Sequence, residues 1–336
     1  MEKNGSPMLA VQNLRVRFPS ASGGIFPVDG VSFHINKGET LGLVGESGSG
    51  KSMTSLAVLG LMPRPHGKIA SGSILFKGNE LVGRTNEEMM KIRGKSISMI
   101  FQEPMTSLNP VYTVGYQIVE EILAHGAMSK KEARDRAVEM LGKVGIPSPE
   151  KRVDSYPHSM SGGMRQRVMI AMALALNPEL LIADEPTTAL DVTIQAQILE
   201  LLDELKREYT MSVLLITHNL GIVAEAAQRV AVMYAGRILE LARTEELFAS
   251  PLHPYTLGLL ESIPPLHGEV DRLKAISGMV PSLDCLAPGC KFSDRCRYVR
   301  ELCRNEEPSL LDALDGHAVR CWRWNEIRES QERRVG

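Results

Sequence analysis

The segment Gly45–Ser52, GESGSGKS, has the glycine spacing and the Lys-Ser ending of a phosphate-binding loop. It follows a short apolar strand pattern, ETLGLVG, and precedes an apolar segment of helical length, MTSLAVLGLM. Glycines let backbone amides turn inward around an anion, and the positive end of the following helix favours the same charge. Lys51 is therefore predicted to reach the β- and γ-phosphates of a nucleotide, and Ser52 to hold Mg²⁺.

A second candidate group is the acidic pair Asp184 and Glu185, which ends the apolar run LLIA. A carboxylate at the end of a buried strand is costly unless it meets a metal, a hydrogen bond or water. In a fold built on a phosphate loop, a neighbouring strand delivers such an aspartate to the Mg²⁺ shell. The pair predicts Asp184 as a metal ligand and Glu185 as the residue that polarises the attacking water. An exposed turn is the alternative.

The five cysteines all lie in the last fifth of the chain, which favours a metal or cluster site in a reducing cytosol. Four of them, Cys290, Cys296, Cys303 and Cys321, are spaced C-x5-C-x6-C-x17-C. This spacing matches neither a zinc ribbon nor the bacterial ferredoxin run. It indicates one site with four soft ligands and leaves zinc, an iron–sulfur centre and metal-free buried thiols open. Cys285 lies outside the pattern and is interpreted as a free thiol.

An α/β framework is predicted to position these residues, because strand patterns alternate with helical ones. The predicted strands are VQNLRVRF, GVSFHI, ETLGLVG, ISMIFQEP, ELLIADEP and SVLLITHN. RVAVMYAGRILEL predicts a hairpin that turns at Ala235-Gly236. In SKKEARDRAVEMLGKVG, Ser129 and Glu132 predict a helix start and Gly145 its end. The sheet is expected to be mostly parallel, with a helical insert over about residues 105–175.

Bulk composition excludes several classes of protein. The 336 residues are 43% hydrophobic and 23% charged, with a net charge of −2, so the basic surplus needed for non-specific nucleic-acid binding is missing. The longest apolar run, VMIAMALAL, is far shorter than the roughly 20 residues of a membrane span. The beginning of the chain lacks a signal-peptide pattern. We therefore expect a chain in the cytosol, or one held on a membrane by a partner.

Five motifs in the order GESGSGKS, FQEP, MSGGMRQR, LLIADEPTTALD and ITH resemble the nucleotide-binding subunits of ABC transporters, over about residues 8–250. The resemblance implies an ATPase with a P-loop NTPase (RecA-like) α/β core, an antiparallel β subdomain and a helical subdomain. It implies Glu185 and His218 as catalytic residues, and Gln102, Ser52 and Asp184 as Mg²⁺ ligands. The implied ATP-binding positions are Phe18, Gly45, Ser47, Gly48, Ser49, Gly50, Lys51, Ser52, Met53 and Gln102.

The same resemblance implies that Ser161, Gly162, Gly163 and Met164 form the signature, which faces the ATP of an opposite subunit, and that Asp191 belongs to the D-loop. The sequence departs from the family at two places. Met164 stands where the signature usually has glutamine, which puts that polar contact in doubt. The usual base-stacking tyrosine is missing, and Phe18 is its candidate replacement, with a core role as the alternative.

The HPYT segment, His253–Thr256, and the pattern around the cysteines resemble the C-terminal extension of dipeptide and oligopeptide importer ATPases, over about residues 250–325. That resemblance implies a [4Fe–4S] cluster on the four patterned cysteines, with Zn²⁺ as the alternative. We expect a boundary near residue 255, which separates an ABC nucleotide-binding domain, 1–255, from a small cysteine-rich C-terminal extension, 256–336.

The two resemblances together imply an ATPase that powers import of dipeptides or oligopeptides, peripheral on the cytoplasmic face of the bacterial inner membrane. The implied partners are a second homologous ATPase in a heterodimer, two transmembrane permease subunits and an extracytoplasmic peptide-binding protein. Another cargo, such as nickel, an antimicrobial peptide or glutathione, stays open. Two rival functions also stay open: a soluble ABC ATPase without a transport role, and an iron–sulfur redox protein that binds nucleotide.

Overall fold

The computed structural model describes residues 6–20, 24–63, 65–102, 107–126, 128–188, 190–263 and 276–335. The described strands are β1 Leu9–Phe18, β2 Ile25–Ile35, β3 Thr40–Val44, β4 Lys68–Phe76, β5 Asn79–Glu80, β6 Ile97–Ile100, β7 Leu180–Asp184, β8 Ser212–Thr217, β9 Arg229–Tyr234, β10 Arg237–Arg243, β11 Leu311–Leu314 and β12 His317–Val319. The described helices are α1 Lys51–Val58, α2 Asn86–Met90, α3 Val114–Ala124, α4 Lys130–Lys143, α5 Pro149–Arg152, α6 Gly162–Leu174, α7 Val192–Tyr209, α8 Leu220–Ala226, α9 Thr244–Ala249, α10 Pro254–Glu261, α11 Glu301–Asn305 and α12 Trp324–Val335, with short 3-10 helices at Pro157–Ser159 and Ser293–Arg295.

The chain divides into two compact units. The first contains Met1–Ile35, Thr40–Val82 and Leu215–Gly336, and the second contains Asn36–Glu39 and Gly83–Leu214. The boundary between the two units falls within strand β8, between Leu214 and Leu215. The P-loop lies in the first unit, and the acidic pair and the signature lie in the second.

The first unit contains an antiparallel sheet, whose described strands run in the order β2-β1-β4-β5. Buried and exposed residues alternate along part of β1, so that Leu14 and Val16 are buried while Arg15 and Arg17 are exposed. This alternation is the pattern of a sheet that covers a core on one face. The predicted antiparallel β subdomain is thereby confirmed.

A second set of strands in the first unit runs in the order β11-β12-β10-β9-β3. Strand β3, which leads into the P-loop, pairs in parallel with β9. The predicted β9–β10 hairpin is confirmed, and its turn places Ala235 and Gly236 at φ of 44° and 81°. Residues beyond 255 extend the same set, because Glu240 and Leu241 of β10 pair with β12.

The extension also shares the hydrophobic core of the first unit. One cluster of buried side chains includes Val232, Tyr234, Tyr255, Cys290 and Phe292. The cysteine-rich residues therefore pack on the sheet that carries the P-loop. The boundary near residue 255 stays a prediction.

In the second unit, β6 and β7 pair in parallel. Helices α3 to α6 fall within the predicted insert over residues 105–175. Helix α4 begins with the predicted capping box, in which the Ser129 and Glu132 side chains each bond the other's backbone amide. Gly145 follows the helix end with φ of 74°, a conformation that favours glycine. Local sequence signals therefore set both ends of this helix.

Candidate functional site

The P-loop, Gly45–Ser52, joins β3 to α1 as predicted. Two of its glycines are required by close backbone approach, because a Cβ at Gly45 would lie 2.1 Å from the Met233 carbonyl oxygen and one at Gly50 would lie 2.1 Å from that of Pro27. Gly50 is the N-cap of α1, and no side chain caps the helix start. The glycines thus provide a cradle of backbone amides at a positive helix end, which fits a triphosphate.

Lys51 is buried inside this loop, with 5% of its surface exposed. Its ammonium group donates hydrogen bonds to the carbonyl oxygens of Gly45, at 2.7 Å, and Glu46, at 3.0 Å. The ammonium is therefore held at the loop, where it can neutralise bound phosphate. Ser47 and Gly48 are exposed, Ser49 is buried, and Ser52 and Met53 are half-buried.

The acidic pair ends strand β7, where Asp184 is buried and Glu185 is half-buried. Glu185 adopts a left-handed backbone conformation with φ of 46°, which is unusual for a residue with a side chain and is typical of functional sites. Its carboxylate accepts hydrogen bonds from the Gln102 amide, at 3.1 Å, and the Thr188 hydroxyl, at 2.8 Å, both on Oε2. The second unit thus brings together the predicted Q-loop glutamine and the predicted base.

The signature begins helix α6, as the Gly-Gly pattern predicts. Ser161 is the N-cap, and its hydroxyl oxygen accepts from the Met164 amide at 3.4 Å. Gly162 and Gly163 form the first turn, and a Cβ at Gly163 would lie 3.0 Å from Ile194 Cγ2. A larger residue at Gly163 would therefore require Ile194 to shift. Asp191 caps the next helix, α7, by accepting from the Ile194 amide at 3.0 Å.

Two predicted residues lie in the first unit, which also contains the P-loop. His218 directly follows β8 and is exposed. Phe18 ends β1 and is half-buried, and its ring packs close enough to Gly67 that a Cβ there would lie 2.8 Å from Phe18 Cζ. The adenine-stacking role of Phe18, its alternative core role and the catalytic role of His218 stay predictions.

The four patterned cysteines line one cavity in the first unit. The cavity has a volume of about 20 Å³ and is partly open to solvent, and His253, Phe292 and Arg323 also line it. The Cys296 and Cys321 sulfurs each accept a backbone N–H from the residue two positions on, both at 3.4 Å. Amide donors aimed at sulfur favour the thiolate form that binds soft metals. Cys285 is exposed and lies apart from the cavity lining, as predicted.

Burial opposes thiolate formation at this cavity when no cation is present. It raises the pKa of Cys290 to about 11 and that of Cys321 to about 12, and it also raises the pKa of Cys296. Without a bound cation these thiols therefore stay protonated at neutral pH. Within the described part of the chain, no three or more His, Cys, Asp or Glu side chains are arranged to hold a metal ion. The predicted cluster is thus not confirmed.

Several residues near these sites were not identified from the sequence. Thr188 has a weak signal, because its hydroxyl stands three positions after Glu185 in DEPTTALD. Arg295 and Tyr255 contact Glu46 of the P-loop from positions 249 and 209 residues away, so no local pattern could have identified them. Glu240 and His317 form a buried pair at 2.7 Å that joins β10 to β12.

Two parts of this chain match known protein families. Residues 28–188 match the ABC transporter family, and residues 239–303 match the C-terminal region of oligopeptide and dipeptide transporters. The oligopeptide transport ATP-binding protein AppD of Bacillus subtilis is 56% identical, over 96% of this chain and 98% of its own length. The dipeptide transport ATP-binding protein DppD of the same organism is 52% identical, over 94% of each chain.

Solved structures give the same result for the fold. The ATP-binding cassette MJ0796, in a dimeric post-hydrolysis state bound to ADP and Pi, is 28% identical with a TM-score of 0.63, over 70% of this chain and 99% of that one. Across the described residues, no helix is both long and apolar enough to cross a membrane. The chain is an ABC ATPase, and it belongs to the family of ATP-binding subunits of oligopeptide and dipeptide transporters.

Proposed function

We propose that this chain hydrolyses ATP to power the import of dipeptides or oligopeptides across the bacterial inner membrane. One observation carries the proposal: the similarity to AppD and DppD extends over nearly the whole chain, including the C-terminal region. That region lies outside the ABC transporter match, so the similarity is more specific than ATPase motifs alone. Another cargo, such as nickel or glutathione, is the alternative.

The roles that we propose for the ATP-binding residues follow from their chemistry. The P-loop amides and Lys51 bind the phosphates, and Phe18 stacks on adenine. Ser52, Gln102 and Asp184 would hold Mg²⁺, which would supply positive charge to the phosphates. Glu185 accepts a proton from the attacking water, because its carboxylate is oriented by two neutral donors. His218 contacts the γ-phosphate.

We propose that the signature serves the ATP of a second, homologous ATPase chain, so that hydrolysis requires a dimer. Ser161, Gly162 and Gly163 are half-buried or exposed at the start of α6, where amides and helix dipole favour an anion. Asp191 lies close in sequence to the catalytic strand and contributes to the same dimer interface. The dimeric structure of the related cassette supports this assembly. We expect the second chain to be a distinct subunit.

A surface of the second unit suits the permease subunits. A groove along α3, which we call the α3 groove, is lined by Thr113, Tyr116, Val119, Leu123 and Arg134, among others. Tyr116 stacks on Tyr112 with ring centroids 4.6 Å apart, and both side chains are more than 40% exposed. Exposed aromatic side chains beside an apolar groove are typical of protein interfaces. We propose that one of the two permease subunits docks here, which holds the chain on the cytoplasmic face, while an extracytoplasmic binding protein supplies the peptide.

We propose that Cys290, Cys296, Cys303 and Cys321 hold a [4Fe–4S] cluster. Their shared cavity and the amide donors to sulfur support it. Zn²⁺ bound by the same four sulfurs is the alternative. When bound, such a cluster supplies positive charge that stabilises four thiolates. It would also stabilise a segment that is rich in turns.

The import function is tested by expressing the chain with its permease subunits and purifying the complex from membranes. We expect the chain to co-purify with two hydrophobic subunits and its ATPase activity to rise when a peptide-loaded binding protein is added. Stimulation by nickel or glutathione but not by peptides would show that the transporter carries that other cargo. A chain that never co-purifies with membrane subunits would contradict the transport role.

The cluster is tested by anaerobic purification with iron and labile-sulfide analysis. We expect iron and sulfide in equal amounts in the wild-type chain. They should be lost in Cys296→Ser and retained in the matched control Cys285→Ser, whose thiol is exposed. Zinc without sulfide, or no metal at all, would contradict the proposal.

A further inference from the structure

Glu46, the second residue of the P-loop, is held by two residues from the C-terminal part of the chain. Its carboxylate forms a two-point ion pair with Arg295, in which Nη1 lies 2.5 Å from Oε2 and Nη2 lies 3.0 Å from Oε1. Its backbone N–H donates to the Tyr255 hydroxyl at 2.9 Å. Lys51 bonds to its carbonyl oxygen. The loop is thus fixed at Glu46 through side chain, amide and carbonyl.

The Arg295 side chain is itself firmly placed. It is 5% exposed, and its Nε donates to the Ser277 carbonyl oxygen at 2.9 Å. Its guanidinium lies 5.7 Å from the ring centroid of Tyr234. Arg295 ends a 3-10 turn that starts three residues after Cys290 and is followed by Cys296. Both cysteines line the cysteine cavity, so the turn that presents Arg295 is bounded by the cysteine site.

The negative charge of Glu46 suggests that this ion pair limits repulsion between the P-loop and a bound triphosphate. A carboxylate in a phosphate-binding loop repels the polyanionic triphosphate, and the repulsion is strong where water is partly excluded. The Glu46 side chain is 29% exposed, so solvent screens it only in part. Arg295 neutralises the carboxylate and holds it against the C-terminal part of the chain. Bidentate arginine–carboxylate pairs also fix direction, which a lysine would not do.

We propose that Arg295 and Tyr255 are positioning residues for ATP binding, which act through Glu46 to hold the P-loop in its binding form. The inference rests on the proposed role of the P-loop in ATP binding. It gives the HPYT segment a direct role, because His253 caps α10 by accepting from the Tyr255 amide at 3.0 Å, and Tyr255 reaches the loop. The C-terminal extension thereby becomes part of the nucleotide-binding apparatus of its own chain.

The test is a double-mutant cycle on the dissociation constant for Mg-ATP, measured on the full chain with Arg295→Gln, Glu46→Gln and the double variant. Arg295→Gln leaves the Glu46 carboxylate unpaired, so we expect the dissociation constant to rise at least about tenfold, equivalent to about 1.4 kcal/mol. In the Glu46→Gln background the same change has no carboxylate to expose. There we expect less than about a twofold further change.

The matched control is Arg297→Gln. Arg297 lies in the same segment and forms a two-point pair with Glu261, at 2.8 and 3.0 Å, that does not touch the P-loop. Its loss should leave ATP affinity unchanged.

Tyr255→Phe keeps the buried ring and removes the acceptor of the Glu46 amide, and we expect about a threefold or greater rise in the dissociation constant. Melting temperatures show that each variant is folded, and if Arg295→Gln does not fold, Arg295→Met, which also removes the charge, replaces it in the cycle.

Equal losses from Arg295→Gln in the two Glu46 backgrounds would overturn the proposal, because a merely structural arginine weakens binding regardless of Glu46. Unchanged affinity in Arg295→Gln would also overturn it. Lys51→Ala tests the P-loop itself. If Lys51→Ala binds ATP like the wild type, the proposed nucleotide site fails, whatever the Arg295 variants do.

Discussion

The Gln102 side-chain amide donates a hydrogen bond to the Glu185 carboxylate, with 3.1 Å between Nε2 and Oε2. The Thr188 hydroxyl donates to the same oxygen at 2.8 Å. Two donors on one oxygen fix the orientation of the carboxylate. We propose that this carboxylate, held in one orientation, acts as the general base.

The first prediction concerns Gln102. Gln102→Ala removes one donor and a proposed Mg²⁺ ligand, so we expect ATP turnover to fall by about tenfold or more. Because Gln102 is exposed, the melting temperature should not change. Thr188→Val, which removes only the second donor at similar volume, serves as the comparison and should lower turnover less. Normal turnover in Gln102→Ala would show that the hydrogen bond has no part in hydrolysis.

The second prediction concerns the buried pair of Glu240 and His317. The Glu240 carboxylate is fully buried and accepts from the Leu252 and His253 amides, at 2.6 and 3.0 Å, and pairs with His317 at 2.7 Å. Glu240→Gln replaces one acceptor oxygen by a donor, so we expect the free energy of unfolding to fall by about 2–4 kcal/mol.

The measurement for Glu240→Gln is urea unfolding followed by tryptophan fluorescence, because both tryptophans, at 322 and 324, lie in the C-terminal extension. Asp154→Asn is the control, since its pair with Arg134 is solvent-exposed on both sides and should contribute less than about 1 kcal/mol. Equal, small effects of the two substitutions would contradict a stabilising role for the buried pair.

The third prediction concerns the α3 groove. Tyr116→Glu places a charge in the part of the groove lined by Val119 and Leu123 and disrupts the stack with Tyr112. We expect association with the permease subunits to weaken by about 30-fold, the effect of losing an aromatic hot spot. ATP binding by the isolated chain should not change. Complex formation in detergent, measured by titration, checks this, and wild-type affinity in the variant would exclude the groove as the docking surface.

The fourth prediction concerns pH. Burial raises the pKa of Glu121 above its usual value, so the folded state holds this proton more tightly than the unfolded state does. Stability contributed by the protonated form is present at low pH and is lost as the pH rises through the folded-state pKa. Glu121→Gln should therefore be more stable than the wild type at about pH 8 and lose that advantage at about pH 4.5. Urea unfolding at both values tests it, and a constant difference would contradict it.

Local sequence patterns predicted the parts of this molecule that are built locally. The P-loop follows its strand and opens its helix, and the Ser129 capping box is formed. Ser161 starts a helix because its hydroxyl oxygen accepts a hydrogen bond from the Met164 amide. In each case the physical cause, a cap or a turn, lies within a few residues of the feature.

Contacts between residues far apart in the sequence could not be predicted from local patterns. Arg295 and Glu46 are 249 positions apart, and both are charged residues of ordinary appearance in the sequence. The cysteine spacing predicted one shared site, and the four thiols do line one cavity. Spacing carries no information on the distances between sulfur atoms, so it could not decide between zinc, an iron–sulfur centre and metal-free thiols. Tertiary packing brings Arg295 to Glu46 and the four thiols to one cavity.

The proposal that this chain hydrolyses ATP with Glu185 as its general base has a direct test. ATP binding and ATP turnover of Glu185→Gln are compared with those of the wild type in the assembled transporter. Loss of general-base catalysis predicts turnover lower by about 10²- to 10⁴-fold, with ATP binding retained. Near-normal turnover in Glu185→Gln would contradict the proposal.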